Sequence, residues 1–407
     1  MSSTPTTPST DSAPPAGRPA TYQTIGYYAA FTALGLTTAS LGPTLPGLAS
    51  QTHASIGQIS VLFTARSLGH LLGSALGGRW YDRLPGQPVM IAMLCAMAST
   101  LALVPLIRML WLLALVMLVL GVAEGALDVG GNTLLVWAAH RQRIGPLMNG
   151  LHFFFGVGAF LSPVIVAQAV LRGGALTWAY WALSFSLLPA IFWNRRLPSP
   201  VAPVAPVGQT TTPVNYWLLA LFASFFFFYV GAEASFSGWI LTYALASGLS
   251  GETIAAYLNA AFWGAFTAGR LLAIFLSTRV QPRALLLGDL MGCVGSAGLI
   301  LLLPNSLIAL WLGTVGTGFF MASVFPTMLA LAASRLSLSG RVTAWFLVGA
   351  SAGAMSLPWL IGQLFASMGP QVTMLIITAE LLASLLIYAA LMSAMARTVP
   401  SSEDARA

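Results

Sequence analysis

Lysine is missing from this chain: its 17 basic residues are all arginine, set against only 10 acids in 407 residues. Charged residues make up 7% of the chain and hydrophobic ones 57%, whereas a soluble domain carries roughly a quarter of its residues charged. A soluble globular protein is therefore excluded, and an integral membrane protein is expected. The arginines sit singly or in pairs between apolar runs, so no basic face for nucleic acid is present. The two cysteines, Cys95 and Cys293, each lie inside an apolar run, which leaves neither a disulfide framework nor a metal-ligand spacing. No nucleophile motif or phosphate loop occurs, and the many glycines fall in apolar helices rather than after strands. ATP-driven transport from within this chain is excluded on that basis, and neither enzymatic chemistry nor a cofactor is expected.

What the chain does have is a series of apolar runs, each near the ~20 residues needed to cross a hydrocarbon core. They predict an all-α membrane protein of about twelve transmembrane helices in two pseudo-symmetric six-helix bundles. The first bundle occupies residues 22–194, with spans at 22–48, 56–80, 87–107, 110–138, 145–171 and 175–194. The second occupies 216–396, with spans at 216–246, 253–278, 283–303, 306–333, 340–367 and 370–396. Residues 195–215, RRLPSPVAPVAPVGQTTTPVN, form a proline-rich linker between them. The Ser/Thr/Pro/Ala-rich residues 1–21 are expected to be a disordered tail and 397–407 a second tail. No cleavable signal sequence is recognisable, so the first span is expected to serve as its own targeting signal.

Arginine counting sets the orientation. Alternate loops hold Arg79 with Arg83, Arg141 with Arg143, Arg195 with Arg196, Arg279 with Arg283, and Arg335 with Arg341, while the opposite loops hold only Arg108 and Arg172. Both tails and the linker are thus expected in the cytoplasm of a multi-pass cell-membrane protein. The halves also repeat a spacing: Gly158-Ala159, Pro163 and Gln168 recur as Gly353-Ala354, Pro358 and Gln363.

Polar residues inside the spans carry the functional argument. Glu124, Asp128 and Asn132 follow an i, i+4, i+8 spacing that draws them into a stripe on one helix face. A carboxylate at bilayer depth costs about 2.5 kcal/mol or more, so each needs water, a partner or a cation. Two carboxylates, an amide and nearby backbone oxygens suit a sodium ion at Asp128 and Glu124; a proton needs only one carboxylate. Either acid could instead pair with Arg66 or Arg270, which lie deep in apolar surroundings. Glu233 is a further lone intramembrane acid and joins the ion-coupling candidates. Glu233, Trp239, Asn259, Trp263, Asn132 and His152 offer hydrogen-bonding groups and aromatic faces of the kind a sugar needs.

Gly78-Arg-Trp-Tyr-Asp82-Arg83-Leu-Pro-Gly86 resembles the signature turn of the major facilitator superfamily, in which Asp82 and Arg83 would form a gating pair. A narrower resemblance spreads over most of the chain. Leu41-Gly-Pro-Thr-Leu45, Leu127-Asp128-Val-Gly-Gly-Asn132, Leu151-His152-Phe-Phe, Tyr229-Val-Gly-Ala-Glu233, Gly238-Trp239, Phe262-Trp263-Gly264 and Gly269-Arg270 are similar to the sodium-dependent glucose transporter family, a neighbour of the fucose–proton symporters. Asp128-Val-Gly-Gly-Asn132 also resembles the acid and small-small-Asn pattern of the fucose symporters, which makes Asp128 the leading candidate for the ion-coupling carboxylate and Asn132 for a sugar contact. The implied function is secondary active uptake of a hexose, coupled to sodium or protons, by a monomer whose partners are the sugar, a coupling cation and membrane lipid. The competing expectation is a proton-coupled efflux antiporter for lipophilic or cationic compounds.

Overall fold

The computed structural model describes residues 18–138, 144–200, 215–276, 278–336 and 340–397. Among them the first half forms α1 (Arg18–Thr38), α2 (Leu41–Thr52), α3 (Ile56–Ile59), α4 (Val61–Arg83), α5 (Gly86–Leu103), α6 (Leu110–Ala138), α7 (Ile144–Gly173), α8 (Leu176–Ser186) and α9 (Leu188–Asn194). The second half forms α10 (Tyr216–Ala246), α11 (Glu252–Leu276), α12 (Pro282–Leu302), α13 (Leu307–Met321), α14 (Val324–Ala333), α15 (Gly340–Met368) and α16 (Gln371–Arg397). No strand occurs among the described residues. Among the described residues, eleven helical segments are long and apolar enough to cross a membrane. The α1–α2 pair completes the expected twelve, split by a turn at Ala39–Ser40.

Proline position explains the splits. A proline ring displaces the carbonyl four residues before it and removes one N–H from the ladder. Pro43 stands four residues after Ala39, and Pro326 four after Ala322, where α13 and α14 part. In α7 and α15 the prolines, Pro163 and Pro358, are held inside continuous helices. There the freed carbonyl of Ala354 accepts a hydrogen bond from Ser67 Oγ at 3.3 Å.

The two halves repeat one packing plan. As α1 packs on α7 and α4 on α6, so α10 packs on α15 and α11 on α13. The repeated sequence spacing sits at the centre of this plan. A Cβ on Gly158 would lie 2.0 Å from the carbonyl oxygen of Thr32, and one on Gly353 would lie 1.9 Å from that of Phe227. Only glycine lets the backbones come so close. One turn beyond each proline, the repeated glutamines both reach into the other half. Gln168 Nε2 donates to Tyr257 Oη at 2.8 Å, and Gln363 Nε2 donates to the Gly57 carbonyl at 2.7 Å and Ser60 Oγ at 3.2 Å.

These contacts belong to the arginine-poor end. Further in, Thr64 Oγ1 donates to the Met355 carbonyl at 2.9 Å, and the Ser67–Ala354 bond lies near mid-depth. The halves are thus tied together from the arginine-poor end to the middle of the spans. Two sequence expectations need adjustment. Helix α1 starts at Arg18, so residues 18–21 belong to the first helix rather than the tail. The first span is broken rather than continuous. Residues 1–17 and 398–407 of the tails, 201–214 of the linker, and Arg141 and Arg143 lie outside the described residues.

Candidate functional site

The polar stripe on α6 divides between two environments. Glu124 is 2% exposed and meets Arg66 of α4, which is 9% exposed, in a two-pronged pair. Arg66 Nε donates to Glu124 Oε2 at 2.8 Å and Arg66 Nη2 to Oε1 at 2.5 Å. The same guanidinium donates to the Thr38 carbonyl at 3.0 Å and the Thr37 carbonyl at 2.8 Å. Both carbonyls lie where α1 stops, and that of Thr37 also accepts from the Ser40 N–H at 3.1 Å and Ser40 Oγ at 2.7 Å. Arg66 therefore caps the broken end of α1 with positive charge while satisfying both oxygens of Glu124. Glu124 is fully used in this arrangement.

One turn further, Asp128 is half-buried and has no guanidinium bonded to it. Asn132 Nδ2 donates to Asp128 Oδ1 at 3.0 Å and to its backbone oxygen at 2.9 Å. His70 Nε2 lies 4.0 Å from Asp128 Oδ2. From the second half, Arg270 of α11 reaches the same space, within electrostatic range of Asp128, Glu233 and Tyr229. Its guanidinium lies over the Phe266 ring, 4.6 Å from the centroid. Glu233 of α10 lies within electrostatic range of Arg270 and within hydrogen-bonding reach of the Tyr229 hydroxyl, which also meets the Met321 carbonyl at 2.5 Å where α13 ends. His152 of α7 enters from the first half, edge-on to Phe31 at 5.8 Å and within the field of Arg270.

The structure thus gathers Asp128, Asn132, His152, Glu233 and Arg270 between the two halves. The set can hold a cation on carboxylate oxygens and offers guanidinium, amide and imidazole groups to hydroxyls. Arg66 and Glu124 flank it as a saturated pair. Among the described residues no group of three or more His, Cys, Asp or Glu comes together as a metal site would require.

Other expected residues are placed differently. Trp239 is fully buried, its indole stacked on Phe365 at 5.5 Å and tilted against Phe63 at 5.8 Å, with Nε1 donating to the Pro358 carbonyl at 3.0 Å. It belongs to the closed contact between the halves rather than to an open sugar surface. Asn259 is also fully buried, and its Nδ2 ties α11 to the Ser237 carbonyl of α10 at 2.6 Å. Trp263 is 4% exposed and packs edge-on against Phe155, Phe262 and Phe266. Asp82 and Arg83 stand exposed at the end of α4, away from this group. Of two further participants, Tyr229 was given no role from sequence, while His70 reads there equally as a helix-packing histidine or as a substrate or proton contact. Tyr229 is four residues before Glu233, and His70 four after Arg66, the interval that places helix residues on one face.

Residues 27–356 match the family model described as Major Facilitator Superfamily. The chain is 31% identical to sodium-dependent glucose transporter 1A of Mus musculus, over 83% of this chain and 88% of the relative. It is 32% identical to sodium-dependent glucose transporter 1 of Homo sapiens, over 83% of this chain and 72% of the relative. Among solved structures, the nucleoside transporter NupG superposes with a TM-score of 0.72 at 14% identity, covering 92% of this chain and 99% of that one. A bacterial homolog of the human lysosomal transporter Spinster gives 0.73 at 14% identity, covering 94% and 98%. At such identity the structural likeness speaks for the fold alone.

Proposed function

The chain belongs to the major facilitator superfamily, a family of secondary transporters, and on that premise we propose that it takes up a hexose-class sugar in symport with a cation bound at Asp128. The observation that carries this reading is the contrast between the two acids of α6. Glu124 has both oxygens taken by Arg66, whereas Asp128 is left half-buried with only the neutral Asn132 bonded to it and His70 at 4.0 Å. Glu124 is therefore a structural partner rather than a coupling group. The names of the glucose-transporting relatives supply the substrate class and sodium as one candidate ion; a proton is the other.

Coupling follows from charge. With Asp128 ionised and empty, Arg270 is drawn toward it as well as toward Glu233. A cation on Asp128 cancels that pull and frees guanidinium donors for sugar hydroxyls, with Glu233 as acceptor and His152 and Asn132 at the edges. Such linkage amounts to about 1–3 kcal/mol and runs both ways, so sugar also tightens the ion. The test is glucose uptake in proteoliposomes under an imposed sodium gradient or an imposed pH gradient. One gradient drives accumulation in the wild-type protein, and Asp128→Asn abolishes accumulation while sugar exchange at equal concentrations persists. Full gradient-driven accumulation by Asp128→Asn would sink the assignment.

A further inference from the structure

Two hollows on the outer wall of the first half meet at Pro189. The larger, about 650 Å³, lies at the arginine-rich end, where Tyr22 of α1 faces Phe192 and Trp193 of α9 and the arginines that follow, Arg195 and Arg196. The smaller, about 330 Å³, continues along α1 past Ile25, Ala29 and Thr32 toward Phe154 of α7. From Tyr22 to Thr32 a helix rises about 15 Å, which is half of a ~30 Å hydrocarbon core. Together the hollows make a groove one leaflet deep, charged at the membrane surface and apolar below.

The two ends differ in chemistry as a phospholipid does. At the surface Arg195 and Arg196 are exposed, and neither forms an ion pair among the described residues. Arg195 lies over the Phe192 ring at 5.0 Å, and Trp193 Nε1 donates to the Tyr22 carbonyl at 3.1 Å, so the aromatics fix this mouth. Such amphipathic rings belong at headgroup level. In the deeper part the hydroxyls are turned onto their own helices or neighbours: Thr32 to the Tyr28 carbonyl at 3.0 Å, Ser186 to that of Ala182 at 2.7 Å, and Tyr28 to that of Leu147 at 3.1 Å. What remains facing the groove is hydrocarbon.

We propose that this groove binds one anionic phospholipid of the leaflet on the arginine-rich face, with its headgroup against Arg195 and Arg196 and an acyl chain laid along α1. Basic pockets beside transmembrane helices on the cytoplasmic side take anionic headgroups in this way, and the loop bias makes this face cytoplasmic. The bound lipid bridges the start of α1 to the end of α9 and steadies the first bundle. The proposal does not depend on which solute is transported.

Thermal unfolding of the purified full chain in neutral detergent tests it, with added dioleoylphosphatidylglycerol, dioleoylphosphatidylcholine or free glycerol phosphate. Phosphatidylglycerol is expected to raise Tm by several degrees more than phosphatidylcholine, and glycerol phosphate to leave it unchanged. Arg195→Gln with Arg196→Gln should remove the extra increment while Tm without lipid stays at the wild-type value. Ser186→Trp, which fills the apolar part without touching a charge, should weaken the apparent phosphatidylglycerol affinity severalfold. Equal shifts from the two lipids, a shift from glycerol phosphate alone, or a double variant that keeps the full increment would each overturn the proposal. Should the double variant fail to fold, an unchanged phosphatidylglycerol response in Ser186→Trp overturns it independently.

Discussion

Removing one partner of the Arg66–Glu124 pair strands the other in a buried place. Breaking such a buried pair costs about 3–5 kcal/mol, because the survivor keeps its charge and loses its counter-charge. Here the loss is compounded on the arginine side, since Arg66 also caps the Thr37 and Thr38 carbonyls. Glu124→Gln and Arg66→Gln are each expected to lower Tm by several degrees, Arg66→Gln more. The double variant should be less destabilised than the sum of the two. Asp128→Asn is expected to move Tm little, because the site is half-buried and Asn132 can still bond an amide oxygen. Thermal unfolding of the four variants separates a structural acid from the acid proposed for coupling one helical turn away; equal Tm losses at Glu124 and Asp128 would erase that distinction.

At the scale of elements, the register between α4 and α6 decides which acid receives the arginine. Glycines set that register: a Cβ on Gly121 would lie 2.0 Å from the Arg66 carbonyl, and one on Gly73 would lie 2.1 Å from that of Val122. The stripe of Glu124, Asp128 and Asn132 was legible from spacing alone, as were the arginines that had to be answered. The division between the two acids was not, because it depends on a contact between two helices that are far apart in sequence. The break in the first span was legible in principle from Pro43, yet apolar length alone reads through it. Trp239 went to the contact between the halves because a sequence carries no record of which end of the molecule is shut, and Asn259 went to a bond between α10 and α11 inside the second half. Glycine contacts also yield a prediction. Gly158→Ala and Gly353→Ala force backbone to move where a Cβ would meet a carbonyl at 2.0 and 1.9 Å, a cost of about 1–3 kcal/mol. Gly298→Ala on α12, where a Cβ meets nothing within 4 Å, should hold or raise Tm, since alanine is the better helix former by about 1 kcal/mol. Similar Tm changes at all three sites would show that close approach is not what the repeated glycines provide.

For the whole molecule, transport by rocking of two halves requires the closed end to open in every cycle. The ties found there are of a strength that permits it. Gln168–Tyr257 and Gln363–Gly57 are hydrogen bonds at pseudo-equivalent places in the two halves, each worth about 0.5–1.5 kcal/mol net. Such bonds hold the end shut without locking it, and a covalent link at the same point should lock it. A Cβ on Gly57 would lie 3.9 Å from the Gln363 Cα, so the two Cα atoms stand no more than about 5.5 Å apart, inside the Cα separation that a disulfide can span. With Cys95 and Cys293 replaced by serine, Gly57→Cys with Gln363→Cys should form a disulfide on mild oxidation. Sugar uptake into proteoliposomes should then stop, and reductant should restore it. Each single-cysteine variant should be indifferent to oxidation. Because the bridge joins the halves only at the arginine-poor end, substrate would still reach the central residues from the other side and could leave only by the way it came. Binding measured by thermal shift should therefore survive in the oxidised protein while net transport does not. Uptake that continues with the bridge fully formed would mean that this end stays closed throughout the cycle, and the path between the halves would have to be sought elsewhere.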